Sequence, residues 1–512
     1  VTGSADILVV GAGPTGLTLA LQAHDHGAAV RVIDRRPEAA RLSRALILHP
    51  RTLEVLRPLG VIQPLLARAD VAPTADLQLG SRLIRVTLAG LALPATAFPH
   101  LSLIRQADVE RVLAGALADR GVKIERGTEL ARVCDGPGGV RAVLRPPAKA
   151  EEALFGFVVG CDGQASTVRT QAGIGWPGRP YPVEVVLADA ELDGDLAGDA
   201  VRVAAGRRGL VFAFRLGERA TWRLLATRAA GVEQSPPGQF GPAVPAAEVQ
   251  ALIDEAGLGA RITELAWSSR VRLQRRVADA FRRGRLYLAG DAAHAYCPAT
   301  GQGMNAGIQD AINLGWKLAF ATAQPGDGRL LDSYDQERRP VARQVLAMTH
   351  MAFWAEASLR PLPSALRSRV GPLIAPLLPV VIGRAHLVAA GIRLLSQLEM
   401  GYRHSPLSVE GTPRRRSGPW AGDRLPDQLV SSAGRTIRLH DLLARPGVHI
   451  LLDRDADPLG ALTPSRFVSI HHLTSSSGRG LIAVRPDGYV GFRGQTVETH
   501  QLATWLALLR AG

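Results

Sequence analysis

Asp6-Ile-Leu-Val-Val-Gly-Ala-Gly-Pro-Thr-Gly16 decides how this chain is read. Residues 7–10 are a short apolar run, as expected of a strand buried on both faces. Gly11, Gly13 and Gly16 follow at GxGxxG spacing, and Leu17, Leu19, Ala20, Leu21 and Ala23 then make an apolar helix. Ala29-Val-Arg-Val-Ile33 reads as a second strand, closed by Asp34, 18 residues beyond Gly16. Strand, glycine loop, helix, strand and acid together form the βαβ dinucleotide fingerprint. Gly11 permits the tight turn, Gly13 lets the backbone approach a pyrophosphate, and Gly16 lets helix and strand pack closely. Thr15 lies in the same loop and is placed with the cofactor-binding residues. The helix N-terminus offers free N–H groups and a partial positive charge to phosphates, and Asp34 is placed to accept ribose hydroxyls. The motif alone does not say which dinucleotide binds. No second GxGxxG follows a strand, so a second nucleotide would have to visit a site without its own fingerprint.

Outward from that loop, 512 residues with 46% apolar and 21% charged content are ordinary for a globular chain of several domains. All but three of the 60 basic residues are arginine, giving a formal charge of +14. They are scattered, with only short clusters such as Arg414-Arg415-Arg416, and no basic stripe is interleaved with aromatics. That pattern argues for a solvated basic surface rather than nucleic-acid binding. It is also compatible with attraction of an anionic cofactor. Cys134, Cys161 and Cys297 are three in number with no CxxC pair. A disulfide framework or metal site is therefore not expected, and a reducing cytoplasm is. No signal peptide is read before the first strand. The most apolar later stretch, residues 373–382, is broken by Pro376 and Pro379 and too short to span a bilayer. No membrane association is expected.

Two further motifs lie downstream. Phe157-Val-Val-Gly-Cys-Asp-Gly163 is a strand ending in Asp-Gly. Arg285-Leu-Tyr-Leu-Ala-Gly-Asp-Ala-Ala-His294 is a strand ending in Gly-Asp, followed by Pro298 and Gly301-Gln-Gly-Met-Asn305. The run 306–321 then carries Ile308, Ala311, Ile312, Gly315, Trp316, Leu318 and Ala319 at helical spacing. Singly, such turns are common, and Asn305 reads equally well as a plain N-cap.

In order, the three motifs resemble the para-hydroxybenzoate hydroxylase family, the class A flavoprotein aromatic hydroxylases. The resemblance implies an α/β fold: a Rossmann-like FAD-binding domain with an inserted β-sheet substrate domain, a helical bridge and a thioredoxin-like C-terminal domain. It implies FAD as cofactor and NAD(P)H as transient reductant. Asp291 then corresponds to the acid on the ribityl or ribose hydroxyls, and Asp162 to the cofactor-binding acid of the DG motif, which in the family serves both FAD and NAD(P)H binding, here largely by supporting its loop. Arg44 resembles the arginine on the pyrophosphate, Gln106 the glutamine near the ribityl chain, and Arg35 a residue beside the adenosine half. Pro298, Gly301, Gly303, Met304 and Asn305 form the loop and helix start against the flavin. There the helix dipole would meet negative charge on the reduced ring. His294 is read as support for that loop, and no catalytic residue is named.

Residues 183–188, 200–204, 210–215 and 221–226 read as strands with partial alternation. Phe212 with Phe214, and Trp222 with Leu224, are plausible substrate-pocket residues, with core packing an equal alternative for each. A short helix is expected over 249–256. Tyr334, Arg338, Arg339 and Pro340 resemble the family's tyrosine–arginine–proline segment. Segments 422–427, 439–443, 448–452 and 484–493 resemble the tail of the phenol and polyketide hydroxylase branch, which without cysteines cannot do thiol chemistry. The expected division is 1–175 and 267–345 for the FAD domain, 176–266 for the substrate sheet, 346–410 for the bridge and 411–512 for the tail. The implied reaction is reduction of FAD by NAD(P)H, reaction of O2 at the flavin, and hydroxylation of an aromatic, phenolic or polyketide substrate. Baeyer–Villiger oxygenation on the same scaffold and a non-catalytic flavoprotein or adaptor stand as alternatives. The absence of a WxW segment and of any lysine before Lys123 speaks against a flavin halogenase. A monomer or homodimer is expected.

Overall fold

The structure is a computed structural model. It describes the chain apart from residues 1–4, 40–45, 72–73, 80–81, 88–92, 94, 195, 197–200, 207–208, 216–219, 230–240, 298–300, 324–327, 358–392, 394, 412–417, 433, 454–465, 474–479, 495–498 and 510–512. Arg44, Pro298 and most of the expected helical bridge therefore lie outside the described residues.

The apolar run Ile7–Val10 is buried at every position, because it is the centre of a six-stranded sheet. Phe157–Gly160 pairs with it on one side and Val30–Asp34 on the other, both parallel, with Val10 level with Gly160 and Ile33. Leu286–Leu288 runs parallel beyond Phe157–Gly160, and Ile124–Arg126 beyond Val30–Asp34. Three neighbouring parallel strands thus end on the same edge, and the three glycine–aspartate motifs leave from there. Crevices outside the carboxyl ends of parallel strands are where α/β sheets bind ligands. The helix Pro14–Asp25 packs against Gln302–Ala323, a 22-residue helix buried along most of its length.

An eight-stranded, mainly antiparallel sheet forms the second layer. Its long central pair, Gly178–Gly194 and Ala260–Val277, is flanked by Trp222–Ala229, Gly209–Phe214 and Val201–Gly206. Two strands from the N-terminal part of the chain, Thr74–Leu79 and Arg82–Thr87, extend it beyond Val201–Gly206, the short strand His294–Ala295 closes the other edge beside Ala260–Val277, and Ala260–Val277 runs past residue 266. No periodicity within 176–266 could have shown those additions, since they come from elsewhere in the chain. One face buries Ala188, Ala190, Ala213, Trp222, Leu224 and Ala226 under the helix Ala246–Ala256. The other carries Val185, Leu187, Phe212, Leu225, Val271 and Leu273. Period-two alternation separates the two sets.

The C-terminal unit is a five-stranded mixed sheet in the order Val409–Glu410, Val490–Gly494, Leu481–Val484, Val448–Asp453, Val468–Leu473. Its parallel pair (448–453 with 468–473) followed by an antiparallel hairpin and the helix Thr499–Leu509 is the thioredoxin-like order. Trp316 and Leu330, from the FAD-domain side, are buried in the same apolar cluster as Ile450, Phe492 and Trp505. Among the described residues no helix is long and apolar enough to cross a membrane.

Candidate active site: a cavity between three turns and a sheet

Each turn is held by backbone bonds that its neighbours supply. Gly11 has φ +105°, and a side chain there would run into the Cys161 carbonyl, so only glycine suits this turn. Cys161 N–H donates to the Val10 carbonyl (2.8 Å), fastening the second motif to the first. A Cβ on Gly16 would strike the Gly11 carbonyl, which is the close packing expected of that position. Asp34 accepts the Ala12 N–H (2.9 Å) and the Arg36 N–H (2.8 Å), and its carboxylate also takes the Arg36 side chain. Burial works to raise this carboxyl, but the Arg36 guanidinium and the two N–H groups outweigh it and hold it below its ordinary range.

Asp162 accepts from Thr167 N (2.7 Å) and Val168 N (3.2 Å), at the start of the helix Thr167–Gln171. Burial pushes its carboxyl upward. Arg169 on that helix donates to the Gln164 carbonyl (2.7 Å) and to the Ala292 carbonyl (2.8 Å), tying the second turn to the third.

The third turn rests on a residue that sequence reasoning missed. Asp310, fully buried, accepts the Gly290 N–H (3.1 Å), bonds His294 Nε2 (2.6 Å) and accepts from Arg338 Nε (2.7 Å). Burial would raise its carboxyl, but Arg338 and His294 draw it below the ordinary value. His294 is itself fully buried and stacked on Tyr296 at 4.6 Å, so its position is that of a brace beneath the loop. Tyr334 secures the preceding strand by donating to the Leu288 carbonyl (2.7 Å). Asp310 did leave a signal: it is the one carboxylate in the apolar run 302–323, and a buried acid needs partners.

These turns and the sheet enclose a cavity of about 610 Å³. Gly11, Gly13, Thr15, Asp34, Arg35, Gln106, Asp162, Asp291, Gly301, Gly303 and Met304 all line it. Gly16 and Asn305 do not. Asn305 is buried behind the wall, accepting from His49 N (3.0 Å) and donating to the Ile47 (2.9 Å) and Gly301 (2.7 Å) carbonyls. Thr15 has a second task, since its hydroxyl lies where side chains on Gly290 or Gly307 would have to go. Arg36, Glu110 and Gln164 line the polar end without having been singled out.

The opposite wall is apolar: Val185, Leu187, Phe214, Leu225, Val271 and Leu273. Phe212 stands beside Phe214 with parallel rings 6.1 Å apart. The pairing of Trp222 with Leu224 as pocket residues is corrected by register. Phe212 is level with Leu225, and Ala213 with Leu224, so Leu224 and Trp222 point to the other face, beneath Ala246–Ala256. Leu225 takes the wall position, because a step of one residue along a strand inverts the face.

The residues fit a flavin dinucleotide. An ideal Cβ on Gly13 or Gly303 would meet nothing within 4 Å, and neither backbone needs a positive φ. Glycine at these two positions leaves space at the cavity wall rather than relieving strain. The same wall holds two helix N-termini and the Asp34 carboxylate, and the facing wall offers an apolar surface.

Comparison with known proteins agrees. A family model described as FAD binding domain matches residues 4–349. The 6-methylpretetramide 4-monooxygenase of Streptomyces rimosus is 33% identical over 98% of this chain and 93% of its own. Among solved structures, the anhydrotetracycline hydroxylase OxyS from Streptomyces rimosus aligns with a TM-score of 0.78 and 26% identity over 100% of both chains. CabE, an aromatic hydroxylase from angucycline biosynthesis, aligns at 0.76 and 27% identity over 98% of this chain and 99% of that one.

Proposed function

The chain belongs to the FAD binding domain family and is a flavin-dependent monooxygenase, and from that premise we propose that it hydroxylates a flat, fused-ring phenolic substrate of the polyketide type. The observation that carries this reading is the two-sided cavity. Its polar side, at the ends of the parallel strands, suits the dinucleotide, and its apolar side suits an aromatic ring system. Relatives named for tetracycline and angucycline chemistry support the substrate class.

Bound FAD would supply the redox chemistry, two electrons coming from NAD(P)H and the two atoms of O2 going one to the substrate and one to water. The protein's part is to bind, orient and exclude water. The N-terminus of Pro14–Asp25 would hold the pyrophosphate, Asp34 the adenosine ribose, with Arg35 beside it, and Asp291 the ribityl hydroxyls. The N–H groups opening Gln302–Ala323 would face the ring and favour negative charge on it. Val185, Leu187, Phe214 and Leu225 would form a dry floor that holds the substrate against the flavin.

The test is NAD(P)H oxidation in the presence of polycyclic and monocyclic phenols, with products read by mass and NMR. Stimulation by a polycyclic phenol, with a product one oxygen heavier and its rings intact, is the expected result. Ring expansion would point to Baeyer–Villiger chemistry, and no stimulation by any aromatic would overturn the proposal.

A further inference from the structure

The C-terminal unit has no cysteine for thiol chemistry, yet it meets the FAD domain through charges that are almost wholly buried. One line of contacts runs to the third turn. Arg338 donates to the Tyr402 hydroxyl (2.8 Å) while its Nε holds Asp310, the residue that accepts the Gly290 N–H. Tyr402 in turn packs on Tyr489 of the C-terminal hairpin, ring centres 4.2 Å apart. A second line runs to the long helix. Arg485 donates to both oxygens of Glu337 (2.6 and 2.8 Å), and Glu337 accepts from Lys317 (2.7 Å) and Asn313 (2.7 Å) on Gln302–Ala323. Asn313 also donates to Asp487 (3.0 Å), which accepts from Arg485. All of these side chains are buried. Removing one member of such a network strands the others without water or partner.

Both lines end on elements that border the cavity. The first ends at the turn bearing Asp291, the second at Asn313 and Lys317, about three to four turns along the helix whose Gly303 and Met304 line the cavity. Buried ionic contacts are a costly way to add stability, since packed apolar side chains of similar volume do as well or better. They are directional, however, and therefore suited to setting position.

We propose that the C-terminal unit, together with Tyr402 just before it, is a positioning element of the cofactor site, with Tyr402, Arg485 and Asp487 acting through Asp310 and Glu337 to set the Asp291 turn and the helix Gln302–Ala323. This rests on the FAD-site reading above. The test uses the full-length protein and compares Tyr402→Phe and Asp487→Asn with Asp291→Ala. FAD dissociation constants come from flavin fluorescence, the visible spectrum and midpoint potential from FAD-saturated protein, and folding from circular dichroism. The expected result is that Tyr402→Phe and Asp487→Asn fold, bind FAD about 3- to 10-fold more weakly and shift the bound flavin's spectrum or potential. A lowered Tm with unchanged FAD affinity, spectrum and potential would overturn the proposal and leave the unit a plain structural support. Should Asp487→Asn fail to fold, Tyr402→Phe decides alone, because it removes only a hydroxyl. Asp291→Ala separates the two readings. If it loses FAD while the other two behave as the parent does, only the positioning role fails; if it keeps FAD at the parent affinity, the site assignment fails.

Discussion

Two ends of the helix Gln302–Ala323 handle polarity in opposite ways. At its start, Gly303 lines the cavity, and a side chain there would meet nothing within 4 Å. Four turns on, Lys317 is fully buried, and its ammonium is bonded to Glu337 and Asn313. Burial still pulls that lysine down to about 8, against the attraction of Glu337. On the proposed reading the first end is completed by FAD; the second is complete within the chain. The lesson is that a binding surface shows itself by what it leaves unfilled, and a structural joint by how fully it is partnered.

That contrast can be broken most directly at the glycines. Gly303→Val adds bulk where nothing stands within 4 Å. It should leave the cofactor-free protein within about 0.5 kcal/mol of the parent yet weaken FAD by about 100-fold or more, roughly 2.7 kcal/mol. Gly16→Ala should do the reverse in kind, because its Cβ meets the Gly11 carbonyl; it should cost about 1–3 kcal/mol of fold stability from overpacking. Titrations with FAD and thermal melts of both variants make the comparison. Equal behaviour would erase the distinction between an open wall and a packed one.

The partnered side is sharpened by pH. Asp310→Asn should cost about 3–5 kcal/mol near neutrality, since it leaves Arg338 buried without its carboxylate. Asp310 is held below its ordinary value in the folded state, so below about pH 4 the unfolded chain binds more protons and the folded state loses this contribution. The gap in stability between parent and Asp310→Asn should therefore narrow as pH falls from about 5 to about 3. Denaturant midpoints across that range would show it, and a gap that widened on acidification would contradict the assignment.

The smallest effect on ligand binding belongs to the cavity floor. Phe214→Ala should raise KM for the aromatic substrate several-fold with FAD content unchanged. Trp222→Ala, on the opposite face, should cost about 3–5 kcal/mol of stability with KM little altered in the surviving folded enzyme. Steady-state kinetics beside melting curves would reveal any exchange of these roles.

Much of this molecule was legible from its residues. The apolar run 7–10, the glycine spacing and Asp34 determined a nucleotide-binding βαβ unit, because strand burial, turn geometry and helix dipole act over a few residues. The ordered Asp162-Gly163 and Gly290-Asp291 motifs narrowed it to a flavin site. The strands 183–188 and 210–215 announced themselves by alternation. What local pattern could not decide was convergence and facing. Asp291 and Gly13 share a cavity only because Leu286–Leu288 and Ile7–Val10 lie in one parallel sheet, each beside Phe157–Gly160. Leu225 rather than Leu224 lines the cavity because of register with Phe212. Asp310, Glu337 and Arg485 are ordinary charged residues until the chain brings them together, 148 positions apart in the last pair. Hydrophobic period and turn chemistry are short-range, whereas electrostatic partnership and cavity shape arise from contacts between segments distant in sequence, and only the tertiary structure supplies those.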